Sequence, residues 1–489
     1  MAAPAAPAAQ LGEAVAAAAA MLPAHAPTAG YHPYGIPELR QAVAARFTRR
    51  GLPTLPDQIL ITTGSQHAIS LILALLGRPG DRVLVENPSY PNALDAIRRA
   101  GLRAAPVPVT DAGWDTALVE STLRQAAPRI AYLVPDFQNP TGALMAREQR
   151  VRILETARAT GTWLLIDETV ADIALDVPSP PPFASLAPHG VAEQVVTVGS
   201  LSKSHWGGLR IGWVRAGSRL ITELAMARIP SDMATPVLEQ LVALHLMGGI
   251  DEVLGERLPR LRASRDALAA ALTRQLPEWR WVLPPGGLSL WVDLGAPIAS
   301  SLARAALGHG VRIEGGSRFG ADPGTHEHRL RIPFTLAPEL YEEAAARLAA
   351  ALPPAWPPRS PPARTRRAGP TRATPTGWPD SAPPPPALRP AAARADPPPG
   401  AARPPHAREP PHHPGCGGSP DSPNISTAPR TPARAPARAL TEPIELATSS
   451  RERRRRRGSG SPVAAIAASA ANSSSAIARS GNSPGYAAS

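Results

Sequence analysis

Gly199-Ser200-Leu201-Ser202-Lys203-Ser204-His205-Trp206-Gly207-Gly208-Leu209-Arg210 is the stretch on which the reading of this chain turns. Its lysine is the only one in the protein: of 51 basic residues, the other 50 are arginine. Where any positive charge would serve, the sequence uses Arg, so a retained Lys points to work that Arg cannot do. A guanidinium stays protonated, whereas an ε-amine can lose its proton, attack a carbonyl and form a Schiff base. Lys203 lies two hydroxyls deep in a turn, and cationic neighbours lower an amine's pKa. Ser200, Ser202 and Arg210 could together clamp a phosphate, the Arg in a bidentate fork.

Outward from this turn, short apolar runs alternate with helical patterns. Strands are expected at Gln58–Ile61, Arg82–Val85, Ile130–Val134, Trp163–Ile166, Gln194–Val198 and Arg210–Val214. Helices are expected at Ser65–Leu76, Pro91–Ala100 and Arg147–Ala159, then at Ser218–Ala227, Pro236–Leu246 and Glu252–Leu276. This alternation is the signature of an α/β domain whose mostly parallel sheet is covered on both faces. A smaller α+β unit follows, with strands near Leu288–Val292, Val311–Glu314 and Leu330–Ile332 and helices near Ala299–Leu307 and Pro338–Ala351. The organisation expected is an N-terminal arm and helix (1–29), a large α/β domain (30–250), a linking helix with a small α+β domain (251–353), and a disordered tail (354–489).

Composition supports that division. From Pro354 onward the chain is rich in Pro, Arg, Ala and Ser, and such a segment buries too little apolar surface to offset its ordering entropy. It holds 19 Arg against 7 Asp and Glu, which is the whole of the formal charge of +12. The part before it carries 32 residues of each sign, so no nucleic acid is expected as its partner; only the run Arg453 to Arg457 could touch polyanions. The single cysteine, Cys416, allows no disulfide within the chain and no cysteine metal site, which fits a reducing cytoplasm. No apolar stretch reaches the length of a membrane span. The Ala-rich N-terminus lacks a basic leader and carries Glu13 in its apolar run, so it reads as a helix rather than a signal peptide.

In open α/β sheets ligands gather beyond the carboxyl ends of the strands. Three further clusters fall there. In Thr62-Thr63-Gly64-Ser65-Gln66-His67 a strand ends, a glycine turns and a helix begins. The N–H groups of Ser65 and Gln66 suit a phosphate, although Gly-Ser before a helix is also an ordinary cap. Asp136-Phe137-Gln138-Asn139-Pro140-Thr141-Gly142 follows an apolar strand, and Asn139 could donate to a phenolate oxygen. Leu164-Leu165-Ile166-Asp167-Glu168 ends a buried strand in an acid, which is costly unless paired. Opposite a pyridinium nitrogen, Asp167 would keep that nitrogen protonated; a cap or a buried ion pair is the plain alternative.

The Asn-Pro-Thr-Gly, Asp-Glu and Ser-x-Ser-Lys…Gly-Leu-Arg motifs, in this order, resemble the fold-type I pyridoxal-phosphate-dependent aminotransferases of class I/II. The likeness covers about Gly30 to Pro353. It implies an enzyme that moves an amino group between an amino acid and a 2-oxo acid. The cofactor would be pyridoxal 5′-phosphate, bound to Lys203 as a Schiff base, with Lys203 also shuttling the proton. Asp167 would face the pyridine nitrogen and Asn139 the phenolate oxygen. Gly64, Ser65, Gln66, Ser200, Ser202 and Arg210 would form the phosphate cup. Tyr90, in Glu86-Asn87-Pro88-Ser89-Tyr90-Pro91, resembles the aromatic stacked on the cofactor ring. Tyr31, in Gly30-Tyr31-His32-Pro33-Tyr34-Gly35, resembles the residue that reaches the phosphate of a partner subunit, which implies a homodimer. Arg331, in Leu330-Arg331-Ile332-Pro333-Phe334, looks like the arginine for the substrate carboxylate, with Arg329 competing because residues i and i+2 share a strand face. No metal is implied.

Within the class, Gly51-Leu52-Pro53, Trp206-Gly207-Gly208-Leu209-Arg210 and Gly286-Gly287-Leu288-Ser289-Leu290-Trp291 are most similar to the aminotransferase-like domain of MocR regulators of the GntR family. There a winged helix precedes the domain; here the first 29 residues are too few to fold into one, so either the sequence is truncated or this is a stand-alone relative. A cofactor-bound effector-sensing domain with little turnover is therefore the alternative to an enzyme. Two departures from the family bear on turnover: Val170 stands where many members carry a Tyr bonded to the phenolate, and the N-terminal segment is short.

Overall fold

The aliphatic runs line up as one eight-stranded sheet, and the later strands form a separate three-stranded one. The computed structural model describes residues 8–187 and 192–353. Two helices come first, α1 (Ala8–His25) and α2 (Pro37–Arg49). Then follow β1 (Ile59–Thr62), α3 (Ser65–Leu76), β2 (Arg82–Asn87), α4 (Pro91–Arg99), β3 (Arg103–Thr110), β4 (Gly113–Trp114) and α5 (Thr116–Ala126). Next are β5 (Ile130–Leu133), α6 (Arg147–Thr160), β6 (Trp163–Asp167), β7 (Val195–Ser200), β8 (Gly212–Arg215) and α7 (Ser218–Asp232). Helices α8 (Val237–Gly248) and α9 (Ile250–Gln275) lead to β9 (Ser289–Asp293), α10 (Ala299–Gly308), β10 (Glu314–Gly315), β11 (Arg329–Pro333) and α11 (Tyr341–Ala350).

The large sheet has the order β1-β8-β7-β6-β5-β2-β3-β4. Its centre, β7-β6-β5-β2-β3, is parallel, while β8 runs against both β7 and β1, and β4 against β3. Strands β1, β2, β5, β6 and β7 therefore all end at the same edge. Continuous apolar runs are what two covered faces require. Ile130 and Tyr132 pack into one core with α3, α4 and α7, while Ala131 and Leu133 between them pack into the other with α2, α5, α6 and α8. The three-stranded sheet, β10-β11-β9, is antiparallel.

The architecture expected from sequence holds: a large, mostly parallel α/β sheet with a small α+β unit. Several local expectations change. Strand β3 was not anticipated, because Pro106 and Pro108 interrupt its pattern; near the sheet edge, with only the two-residue β4 beyond it, the missing N–H groups are tolerated. Helices α2 and α5 were also unanticipated; Pro37 at the first turn opens α2, and the Asp115 carboxylate caps α5 by accepting from the Leu118 N–H (3.1 Å). The strand expected at Val311–Glu314 is only the two-residue β10, although Val311 and Ile313 are buried. The expected disordered tail, with Cys416 and Arg453 to Arg457, lies outside the described residues. Among the described residues no helix is long and apolar enough to cross a membrane.

One buried ion pair anchors the loop that follows β5. Arg150 of α6 donates from Nη2 to Asp136 Oδ1 (2.7 Å) and from Nε to the Met145 carbonyl (2.9 Å), with both side chains of the pair fully buried. Truncating one member strands the other charge in a low-dielectric interior. Arg150→Ala is expected to lower the unfolding free energy by about 3–5 kcal/mol, measured by urea denaturation, whereas Arg152→Ala, whose exposed guanidinium pairs with a Glu120 that Arg124 also holds, should cost under about 1 kcal/mol.

Candidate active site

Loops from the carboxyl ends of the large sheet's strands meet the small sheet around a cavity of about 470 Å³. Ser65, Gln66, Tyr90, Asn139, Asp167, Ser202, Lys203, Arg210 and Arg331 all line it. That volume is in the range of cofactor and substrate pockets.

Lys203 is placed by the turn after β7. Ser200 Oγ lies 2.8 Å from both Ser202 Oγ and the Ile211 carbonyl and accepts from the Ser202 N–H (3.0 Å). The Ser200 hydroxyl is thus engaged within the turn and does not line the cavity, whereas Ser202 does. Burial, helped by the Arg331 and Arg210 charges and opposed by Asp167, brings the Lys203 amine down to about 8.

Asp167 closes β6 as a buried acid, and its two oxygens are separately held. Oδ2 accepts from the Tyr132 phenol (2.8 Å) and Oδ1 from the Thr169 N–H (3.0 Å). Burial, then the Asp167 charge, pushes the Tyr132 phenol well above its ordinary range, so it remains a donor. Tyr132 was missed in the sequence; its signal is a phenol in an otherwise aliphatic strand, which needs a partner for its hydroxyl.

Asn139 and Arg331 meet across the cavity, Arg331 Nη1 donating to Asn139 Oδ1 (3.3 Å). The guanidinium lies 4.6 Å from the centre of the Phe319 ring. Arg331 is 2% exposed, and its Nε and Nη2 have no hydrogen-bond partner among the described residues. Burial lowers it to about 10, so it stays charged at neutral pH. Buried donors left unfilled are expensive, and an anion satisfies them. Arg329 is already committed: it holds both carboxylate oxygens of Asp111 (3.0 and 3.2 Å). The structure therefore separates two arginines that strand spacing left equivalent.

At the opposite end, Gly64 opens α3 with a left-handed φ of 84°. A Cβ there would come within 2.4 Å of Arg210 Nη2, so Gly64 backs the arginine without itself lining the cavity. The first N–H groups of α3 have no intrahelical partners and face the site with the positive end of the helix dipole. Tyr90 accepts from Asn92 Nδ2 (3.0 Å), and its phenol is raised by burial. Tyr31 is 62% exposed and lies outside the cavity. Val170 lines the wall, so no phenol occupies that position.

A second feature missed in the sequence is Glu86. It accepts from Trp114 Nε1 (3.0 Å), the Val134 N–H (3.1 Å) and Gln138 Nε2 (2.9 Å), and burial raises it to about 7. Gln138 in turn accepts from the Thr141 N–H and hydroxyl, so Glu86 fixes the loop that presents Asn139. The donor set fits pyridoxal 5′-phosphate: an arginine and a helix N-terminus for a phosphate, a buried carboxylate for a ring nitrogen, and a lysine with a depressed pKa.

Comparison with known proteins agrees. The family model for aminotransferase class I and II matches residues 6–348. The 2-aminoadipate transaminase of Thermus thermophilus is 34% identical over 331 residues, 66% of this chain and 80% of that protein. The Escherichia coli HTH-type transcriptional regulator YdcR is 32% identical over 294 residues, 59% of this chain and 62% of that protein. The crystal structure of α-aminoadipate aminotransferase from Thermus thermophilus, complexed with N-(5′-phosphopyridoxyl)-L-leucine, superposes with a TM-score of 0.65 at 33% identity, covering 70% of this chain and 87% of that one.

The depressed Lys203 pKa has a direct consequence. The neutral, nucleophilic amine is populated above its pKa, so trapping of a small aldehyde on Lys203, fixed with borohydride and read by mass, should rise with pH around a midpoint near 8. Arg331→Gln removes a positive neighbour and should move that midpoint upward.

Proposed function

The chain belongs to the aminotransferase class I and II family, and from that premise we propose that it moves the amino group of an amino acid to a 2-oxo acid, with pyridoxal 5′-phosphate held on Lys203. The observation that carries this reading is the convergence of the chain's one lysine, a buried carboxylate and two arginines on a single cavity. When bound, the cofactor supplies an aldehyde carbon open to attack by a primary amine and a conjugated ring that draws electron density from the substrate Cα. Arg210, Ser202 and the N–H groups of Ser65 and Gln66 hold the phosphate. Tyr90, in the cavity wall, would cover one face of the ring. Asn139, whose Oδ1 is occupied by Arg331, turns its Nδ2 donors to the phenolate oxygen. Asp167 keeps a proton on the ring nitrogen, its carboxylate oriented by Tyr132 and the Thr169 N–H. Arg331 offers its unfilled Nε and Nη2 donors to the substrate carboxylate. Lys203 Nζ, whose amine burial brings down to about 8, would be the base that takes up and returns the proton at the substrate Cα. The exposure of Tyr31, away from this chain's own cavity, supports a second copy as its target and a homodimer as the working unit.

A second reading has an observation of its own. Val170 removes one phenolate donor from the cavity wall, and part of the chain is similar to HTH-type regulators. An effector-sensing domain that binds cofactor and amino acid without turnover is consistent with both.

Purified full-length protein mixed with the cofactor should develop a visible absorption band that Lys203→Ala abolishes. An amino acid should then release its 2-oxo acid, and a second 2-oxo acid should accept the amino group. Arg331→Gln should cost about 2–5 kcal/mol in kcat/KM. No band in the intact protein sinks the reading. A band that shifts with amino acids while no 2-oxo acid forms makes the protein a sensing domain instead.

A further inference from the structure

We propose that Arg228 and Asp232 are positioning residues for the phosphate end of the cavity, acting through Thr63. This rests on the functional reading above. Arg228 of α7 has no exposed surface, and all five of its donor hydrogens are used. Nε and Nη2 grip the two oxygens of Asp232 (2.9 and 2.8 Å). Nη2 also reaches Thr235 Oγ1 (3.0 Å), and Nη1 binds the carbonyls of Ile61 (2.6 Å) and Pro33 (3.0 Å).

Through Ile61 and Asp232 the pair reaches the end of β1 and the residue after it, Thr63. Every polar group of Thr63 is engaged. Its N–H donates to His67 Nδ1 (3.2 Å), its hydroxyl to Asp232 Oδ2 (3.3 Å), and its carbonyl accepts from Arg210 Nη2 (3.1 Å). The Ile61 carbonyl held by Arg228 lies two residues before Thr63. Gly64, directly after it, makes way for the Arg210 guanidinium. Arg210 itself is exposed, on a backbone with a left-handed φ of 53°. A long exposed arginine loses rotamer entropy when it binds an anion. The Thr63 carbonyl removes part of that loss in advance, provided the carbonyl is itself fixed. Arg228 and Asp232 fix it, without touching the cavity.

The consequence is specific to the phosphate. Pyridoxal lacks that group but still offers Lys203 its aldehyde. Dissociation constants for pyridoxal 5′-phosphate and for pyridoxal are measured on the full-length apoprotein from the visible band, for the wild type, Asp232→Asn, Thr63→Val and Thr63→Ser. The expected result is about tenfold weaker binding of the phosphorylated ligand in Asp232→Asn and Thr63→Val. Pyridoxal binding is unchanged in both, and Thr63→Ser, which keeps the hydroxyl, behaves as wild type. Equal weakening of both ligands, or no weakening of either, overturns the positioning role while leaving the aminotransferase reading intact. A wild-type chain that binds neither ligand overturns both. Thr63→Val is nearly isosteric, so it gives the answer even where Asp232→Asn fails to fold.

Discussion

Burial strips water from an ammonium at Lys203, and the Arg331 and Arg210 charges beside it outweigh the attraction of Asp167. In a medium that screens poorly, that imbalance favours the neutral amine. The surroundings answer to this constraint. Asp167 must be charged to act on a ring nitrogen, so Tyr132 and the Thr169 N–H solvate it in place of water. Arg331 must remain a cation while fully buried, and the face of Phe319 and the Asn139 amide supply part of what water would. The parallel sheet makes the arrangement possible, because strands β1, β2, β5, β6 and β7 deliver their loops to one edge.

Much of this was legible in the sequence, for physical reasons. A strand buried on both faces is mostly apolar along its whole run, so β5, β6 and β7 stand out. A charge at the end of such a strand is costly, which draws attention to Asp167, and Lys203 stands out as the only lysine of the chain. The Asn139 turn and the Gly64 cap were readable because the residue types suit one backbone shape each.

What escaped was relational. Tyr132 and Asp167 lie on neighbouring strands 35 positions apart, and no local pattern joins them. Glu86 serves Gln138 from a distance of 52 residues. Strand β3 hid behind two prolines. Arg329 and Arg331 share a strand face, and Asp111 beside the one and the cavity beside the other tell them apart. Ser200 carries a motif that pointed to phosphate, yet its hydroxyl turns inward to shape the loop.

The lone lysine has a practical side. With 50 of 51 basic side chains as guanidiniums, the protein offers carbonyl reagents no ε-amine at its surface. Aldehydes and activated esters, which scatter over most proteins, would find only one side-chain amine, and that one inside a cavity. The fold is in effect a mute carrier for a single reactive nitrogen. A covalent label counted by mass then reads Lys203 against a background of little more than the terminal α-amine and Cys416.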